Sequence, residues 1–444
     1  MLQRLAWAKS AAFSVLILAA ACGQPAGNLA DTPEIVETEA AAPDPAKSFT
    51  PSILVMLDEE MAAVVRENKV ASLSYVLIKD GQRVASGFHG TRTLDTADPV
   101  DDRTIYRIYS MTKPVTAVGL LMLYEEGKFS LDDPITKFLP EMSKLEVFDG
   151  LSAGSIRTRP VNHVPTMREL LLHTAGFGYG DGRPDYVSQQ FMARQIDSAA
   201  SSDELVEKVA RILLKYQPGE AWSYSIASDL QGVIIERITG QSLQQYLEER
   251  IFAPLDMADT GFTVDEGDSS RLAILTSWTP EAGMQPLPGP IQTLRAAEVA
   301  RYSGGHGLVS TIADYERFAA MLLNGGSLGD VRLLKPETVS MMVTNGLAFL
   351  DANTGLPLYR PSAGIGYGFG VGVVDDTIAS GLGAPEGSFF WDGATGTWFW
   401  VDPRHDLIFI GMLQNMSSSP ILMRRAAMQR VYHALITDYF PTPH

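Results

Sequence analysis

Ser110 and Lys113 stand three residues apart in IYSMTKPVTAVG, and among the lysines of the chain only Lys113 has a serine at that spacing. On a helix, positions i and i+3 share a face, so the hydroxyl and the amine can meet. A helix N-terminus also offers unpaired backbone N–H groups to a developing negative charge. Burial disfavours a charged amine, and an uncharged Lys113 could accept the serine proton and make Ser110 a nucleophile. The bland alternative is a serine at a helix cap followed by a lysine that reaches to solvent, and on this tetrapeptide alone that alternative prevails, because such pairs arise easily by chance.

Two other serines compete. GLSAG at 150–154 and GGSLG at 325–329 match the G-x-S-x-G pattern of nucleophile elbows, which require a strand before the serine and a helix after it. Pro160 and Pro165 forbid a continuous helix after Ser152, and Ser327 follows a helix instead of preceding one. Both are expected in loops. His306 in SGGHG is a further candidate base, but no acid lies near it in sequence, so it is expected to be structural or to act from behind the site. H-E-x-x-H spacing, dinucleotide glycine patterns and P-loops are absent. No cofactor is implied and no metal site is expected.

The elements that must position Ser110 are legible in outline. Apolar residues at Ile53, Leu54, Leu57, Met61, Val64 and Val65 form a helical stripe. SLSYVLIKDGQRVASGFHG reads as two strands turning at Asp80-Gly81. The SMTK helix extends to about Glu126, and Val115, Val118, Leu121 and Met122 predict that it is deeply buried. The middle of the chain is mostly helical, with capping-box patterns at Thr166/Glu169 and Ser201/Glu204. Strand patterns return in GYGFGVGVV, GSFFWDGA, GTWFWVD and LIFIGMLQ, and a last helix closes the chain. The expected class is α/β (α+β): an antiparallel sheet built from both ends of the chain, flanked by helices, with a mainly helical insertion. Residues 51–109 and 300–444 would form the α/β part and 110–299 the helical part.

The chain has 444 residues, 45% hydrophobic and 20% charged, with a formal net charge of −17. That acidity repels phosphate backbones and argues against nucleic-acid binding. Residues 1–21 combine Arg4 and Lys9 with an apolar run too short to span a bilayer, the pattern of an export signal. Cys22, the only cysteine, follows three alanines as in the lipobox of bacterial lipoproteins, with Leu18 one place further from it than usual. The expectation is lipidation at Cys22, an anchor on the periplasmic face of a membrane, and Gly23 resembles outer-membrane sorting. The alternative is a plain cleaved signal. Residues 22–50, rich in Ala, Pro, Glu and Asp, read as a flexible tether.

Five blocks in order, IYSMTKP, LLLHTAGF, PGEAWSYSIASDLQGVIIERITGQSLQQYLEERIFAPLDM, SGGHGLVSTIADYERFAAMLLNGG and FFWDGATGTWFWVDP, resemble the serine β-lactamase-like superfamily, specifically the family VIII carboxylesterases, over roughly residues 51 to 438. That resemblance implies an acyl-enzyme on Ser110, with Lys113 and Tyr224 sharing the proton. It implies oxyanion donors at the backbone N–H groups of Ser110 and Ala394, and a substrate-binding strand at Trp391-Asp392-Gly393. β-Lactamases and D-alanyl peptidases of the superfamily usually carry Lys-Thr-Gly there, and the class C Tyr-x-Asn is Tyr224-Ser225-Ile226 in this chain. Both departures favour small neutral esters as substrates, and Asp392 would repel anions if it faced the cleft. The alternatives are a β-lactamase, a D-alanyl-D-alanine peptidase, or a non-catalytic peptidoglycan-binding lipoprotein.

Overall fold

The computed structural model describes residues 44–152, 154–347, 361–417 and 420–435. Cys22 and the leader therefore lie outside the described residues. The expected tether reaches Thr50, but Asp44–Thr50 are already part of the folded body. Pro45–Ser48 form a 3-10 turn capped by the Asp44 side chain, Phe49 is buried, and the Thr50 N–H bonds to the Ala434 carbonyl at 2.8 Å.

The first helix, α1, covers Pro51–Arg66. It is followed by β1 (Ser72–Lys79) and β2 (Gln82–Gly90), which turn at Asp80-Gly81 with both residues at positive φ. The helix after the nucleophile, α2, spans Thr112–Glu125. A capping box at Thr166 and Glu169 opens α3 (Met167–Leu171), satisfying two helix-end donors reciprocally. At Ser201 only half of the expected box forms: Ser201 accepts from the Glu204 N–H, while the Glu204 carboxylate takes the Ala200 N–H instead. Helix α4 (Ala227–Thr239) ends at Gly240 in the left-handed conformation that glycine tolerates, and α5 covers Ile312–Leu323.

The remaining strands come from the C-terminal part of the chain: β3 (Ile365–Tyr367), β4 (Gly372–Val374), β5 (Phe389–Gly393), β6 (Thr397–Asp402) and β7 (Leu407–Leu413), before the last helix, α6 (Pro420–Ala434). The seven strands form one antiparallel sheet in the order β3-β4-β5-β6-β7-β1-β2. β1 pairs with β7, so the two ends of the chain close one sheet. The fold class is the expected α/β arrangement.

Strand alternation sends successive side chains to opposite faces. On one face Tyr75, Phe390, Trp398, Trp400 and Phe409 pack in a core with α1 and α6. On the other, Val76, Phe389, Phe399 and Ile410 pack against α2 and the helical part. Every residue of α2 from Thr112 to Leu123 is buried, as a helix apolar on all sides must be.

Ser152 closes a strand, Glu146–Ser152, paired with Ser155–Pro160 in an exposed hairpin, so it is not in the loop that its sequence context suggests. Ser327 lies in a two-residue strand after α5. Neither serine precedes a helix, so neither occupies an elbow.

Candidate active site

The chain enters the site along Ile108-Tyr109-Ser110. Tyr109 has φ 43°, a left-handed backbone that costs energy in a non-glycine residue and is typical of functional turns. A 3-10 turn over Tyr109–Met111 then feeds α2. The hairpin of β5 and β6 holds this segment from the sheet side. Thr395 Oγ1 donates to the Arg107 carbonyl and Thr397 Oγ1 to the Ile108 carbonyl, each at 3.1 Å. Gly393 has to be glycine for this contact, because a Cβ there would lie 2.3 Å from the Ile108 oxygen. The backbones carrying the Ser110 and Ala394 amides are thus neighbours, with Ala394 exposed in the turn after β5.

Ser110 Oγ lies between two polar groups. The Lys113 amine donates to it at 3.1 Å, and the Tyr224 hydroxyl, from the loop before α4, at 2.7 Å. Lys113 is fully buried. Its Nζ also donates to the Gly305 carbonyl at 2.7 Å and sits 4.6 Å from the Tyr224 ring centroid and 5.6 Å from that of Tyr179. The amine is therefore bonded to a hydroxyl and a carbonyl and faced by two π systems, with no carboxylate in hydrogen-bond contact. Such an arrangement leaves Lys113 and Tyr224 as the two groups beside Ser110 Oγ that can handle its proton.

Three residues not assigned from the sequence complete the site. His173, in LLLHTAGF, stacks on Tyr224 with ring centroids 5.4 Å apart. Its Nδ1 accepts the Ser225 N–H at 3.1 Å. Burial, aided by the Lys113 charge, pushes its pKa down to about 3, so it is a neutral brace. Tyr179 packs edge-on against Tyr224. Asp229, near the start of α4, is 1% exposed. Burial works to raise its pKa, but Arg301, His306, the Ser303 hydroxyl and Lys113 outweigh it and hold the carboxyl below its usual range. Asp229 Oδ1 accepts from Arg301 at 3.0 Å and from Ser303 at 2.6 Å, while Oδ2 has no partner among the described residues. A Cβ on Gly305 would sit 2.3 Å from that Oδ2 and 3.6 Å from Lys113 Nζ, which is why the loop carries glycine there. His173 lies within LLLHTAGF, one of the blocks that carry the resemblance, which is the one signal that marks it. Nothing local marks Asp229, because its partners are more than 70 positions away.

The third-motif strand divides its residues between two faces. Trp391 faces the site, with ring centroids 5.6 Å from Tyr224 and 5.2 Å from Tyr367, and Trp222 closes the aromatic wall 5.5 Å from Tyr367. Asp392, expected among the substrate-binding residues, points to the other side. Its carboxylate forms a two-pronged ion pair with Arg424 of α6, at 2.6 and 3.1 Å, and the guanidinium lies 3.7 Å over the Phe390 ring. With Trp391 and Gly393 turned to the cleft, the residue between them must face away. Asp392 therefore neither lines the cleft nor repels anions there. His306, too, has an acid behind it that the sequence did not reveal: Asp229, reached through Ser303.

The model of the Beta-lactamase family matches residues 57–432. The chain belongs to the Beta-lactamase family. It is a serine hydrolase of the β-lactamase-like superfamily. It is 35% identical over 333 residues to Protein Rv1367c of Mycobacterium tuberculosis, covering 73% of this chain and 81% of that one. It is 28% identical to Esterase EstB of Burkholderia gladioli over 367 residues, 79% of this chain and 88% of EstB. Among solved structures it resembles EstCE1, titled a hydrolase with promiscuous acyltransferase activity, with TM-score 0.70, 22% identity, and coverage of 86% of this chain and 99% of that one. At that identity the likeness to EstCE1 is one of fold.

Proposed function

We propose that the protein is an exported serine carboxylesterase that cleaves small neutral esters through an acyl-enzyme on Ser110. The observation that carries this reading is Ser110 Oγ held between Lys113 Nζ and Tyr224 OH. Ser110 Oγ bonds to the acyl carbon as its proton passes to the Lys113–Tyr224 pair, and the same pair returns the proton to the departing alcohol oxygen. The oxyanion lies against the backbone N–H groups of Ser110 and Ala394. Water then attacks the acyl carbon, the bond to Ser110 Oγ breaks, and the pair restores the serine proton.

Trp391 and Tyr224, backed by the buried Tyr367 and Trp222, favour an apolar acyl group, and no lysine stands in the Trp391-Asp392-Gly393 strand to hold a substrate carboxylate. EstB, by name an esterase, supports the same chemistry. The leader and Cys22 add the proposal of an N-terminal lipid anchor on the periplasmic face, the outer membrane being the favoured one.

The test uses p-nitrophenyl butyrate and nitrocefin side by side. The wild type is expected to turn over the ester, show a butyryl adduct on Ser110 by intact mass, and leave nitrocefin nearly untouched; Ser110→Ala should lose both ester turnover and adduct. Ester turnover that survives in Ser110→Ala would overturn the catalytic reading. Membrane fractionation of Cys22→Ala tests the anchor separately, and a variant that still sediments with membranes removes it.

A further inference from the structure

Next to the nucleophile lies a second cavity of about 400 Å³, within the range of roughly 300–1,000 Å³ common for small-molecule sites. Tyr109, the residue before Ser110, forms one wall. His306, the residue after the carbonyl that holds Lys113, forms another. The remaining lining is mixed: Phe262, Leu294 and Val299 are apolar, while Arg107, Asp197, Glu298 and Arg301 carry charge. Ser110, Lys113 and Tyr224 do not line it, so the chemistry proposed above leaves this space unused.

The His306 ring is oriented from behind. Asp229 is held as a carboxylate and can only accept. The Ser303 hydroxyl therefore donates to Asp229 Oδ1, at 2.6 Å. With its proton so committed, Ser303 Oγ receives the Nδ1–H of His306, at 3.0 Å. This favours the proton on Nδ1, with the Tyr179 hydroxyl 3.4 Å away as a second, longer acceptor, and leaves a lone pair on Nε2, which bonds to no protein group among the described residues. The ring is stacked on Tyr109, with centroids 6.4 Å apart. Burial holds His306 below the ordinary histidine range, so the lone pair persists at neutral pH. The cavity joins apolar walls to one acceptor, His306 Nε2, that is fixed from behind, and it suits a ligand with an apolar body and a donor. Exposed carboxylates of Asp197 and Glu298 stand on its lining and disfavour anions, while Arg107 and Arg301 in the walls disfavour cations.

We infer that this cavity receives one arm of the ester substrate, and that the arm carries a hydroxyl whose O–H donates to His306 Nε2. The substrate class is thus a neutral ester of a hydroxylated acid or of a diol. The inference rests on the reading of Ser110 as the acylated nucleophile and deepens it. His306 takes no proton in the reaction; it selects the substrate.

The experiment compares ω-hydroxyalkyl acetates and methyl ω-hydroxyalkanoates of increasing length with isosteres in which the hydroxyl is a methyl group. For at least one member the wild type should prefer the hydroxylated ester by about tenfold in kcat/KM, the worth of one well-made hydrogen bond in a site that is otherwise left unpaired. His306→Leu should bring that ratio to within about twofold of one, and Ala300→Trp, which narrows the cavity from an exposed lining position, should lower it as well. No preference anywhere in the wild-type series, or a preference that survives both substitutions, overturns the inference. Should His306→Leu fail to fold, the Ala300→Trp ratio decides. The acyl adduct on Ser110, followed in parallel, separates failure of this inference from failure of the esterase reading.

Discussion

Two buried charge clusters lie on opposite sides of the sheet, and they are built differently. Behind β5, Asp392 and Arg424 meet through two hydrogen bonds, and the guanidinium is covered by Phe390. Each carboxylate oxygen there has a partner. In front of the sheet, Lys113 is bonded to a hydroxyl and a carbonyl, Asp229 Oδ2 and the Arg301 Nε have no partner among the described residues, and His173 is held neutral. Removing charges from water is costly unless they pair well. The rear cluster meets that condition and holds a helix to a strand. The front cluster falls short of it, and its unpartnered carboxylate oxygen lies against the Gly305 loop that holds Lys113. The contrast separates a structural ion pair from a group poised to move protons, although both are buried and both include a long basic side chain.

The comparison breaks most sharply at Lys113. Lys113→Met should lower kcat for p-nitrophenyl butyrate by roughly 10³-fold or more, as loss of one member of a concerted catalytic set does. The melting temperature should fall only modestly, because methionine keeps most of the buried side chain's volume although the Gly305 carbonyl loses its donor. Retained turnover would put the front cluster in the same structural class as the rear one.

At the rear, Asp392→Asn strands the Arg424 charge and should destabilise the fold by about 3–5 kcal/mol in chemical denaturation. The paired replacement Asp392→Leu with Arg424→Met removes both charges and should recover most of that loss, while the folded enzyme keeps its kcat within a few fold. A large kcat loss in the paired variant would give the ion pair a role in the chemistry.

Acid sharpens the front side. His173 is pushed down to about 3 in the fold, against about 6.5 in the unfolded chain, so its neutral form is favoured by folding. As pH falls below 6.5 the unfolded chain takes up a proton that the folded one refuses. The stability present above 6.5 is then lost progressively towards pH 3, by about 3 kcal/mol between pH 7 and pH 4 from this residue alone. Denaturation of wild type and His173→Gln at both pH values measures the difference, and equal slopes would remove His173 as its source.

Local physics made much of this protein legible in one dimension. The Asp80-Gly81 turn, the Thr166 cap, the buried α2 and the alternating strands follow from neighbouring residues, and the fold class followed from their order. The spacing of Ser110 and Lys113 by itself puts a hydroxyl and an amine on one helical turn. Other features were beyond reach for a definite reason. Alternation along FFWDG says that Trp391 and Asp392 face opposite ways, but only the packing of α6 against β5 decides which of them meets Ser110 and which meets Arg424. Tyr224 reaches Ser110 across 114 residues, and Asp229 reaches Ser303 across 74. Contacts at such separations depend on how whole elements pack, and no local propensity encodes them. The sequence by itself determined which groups could do chemistry. The tertiary structure decided which of them meet at the nucleophile, because burial and pairing are properties of the packed body.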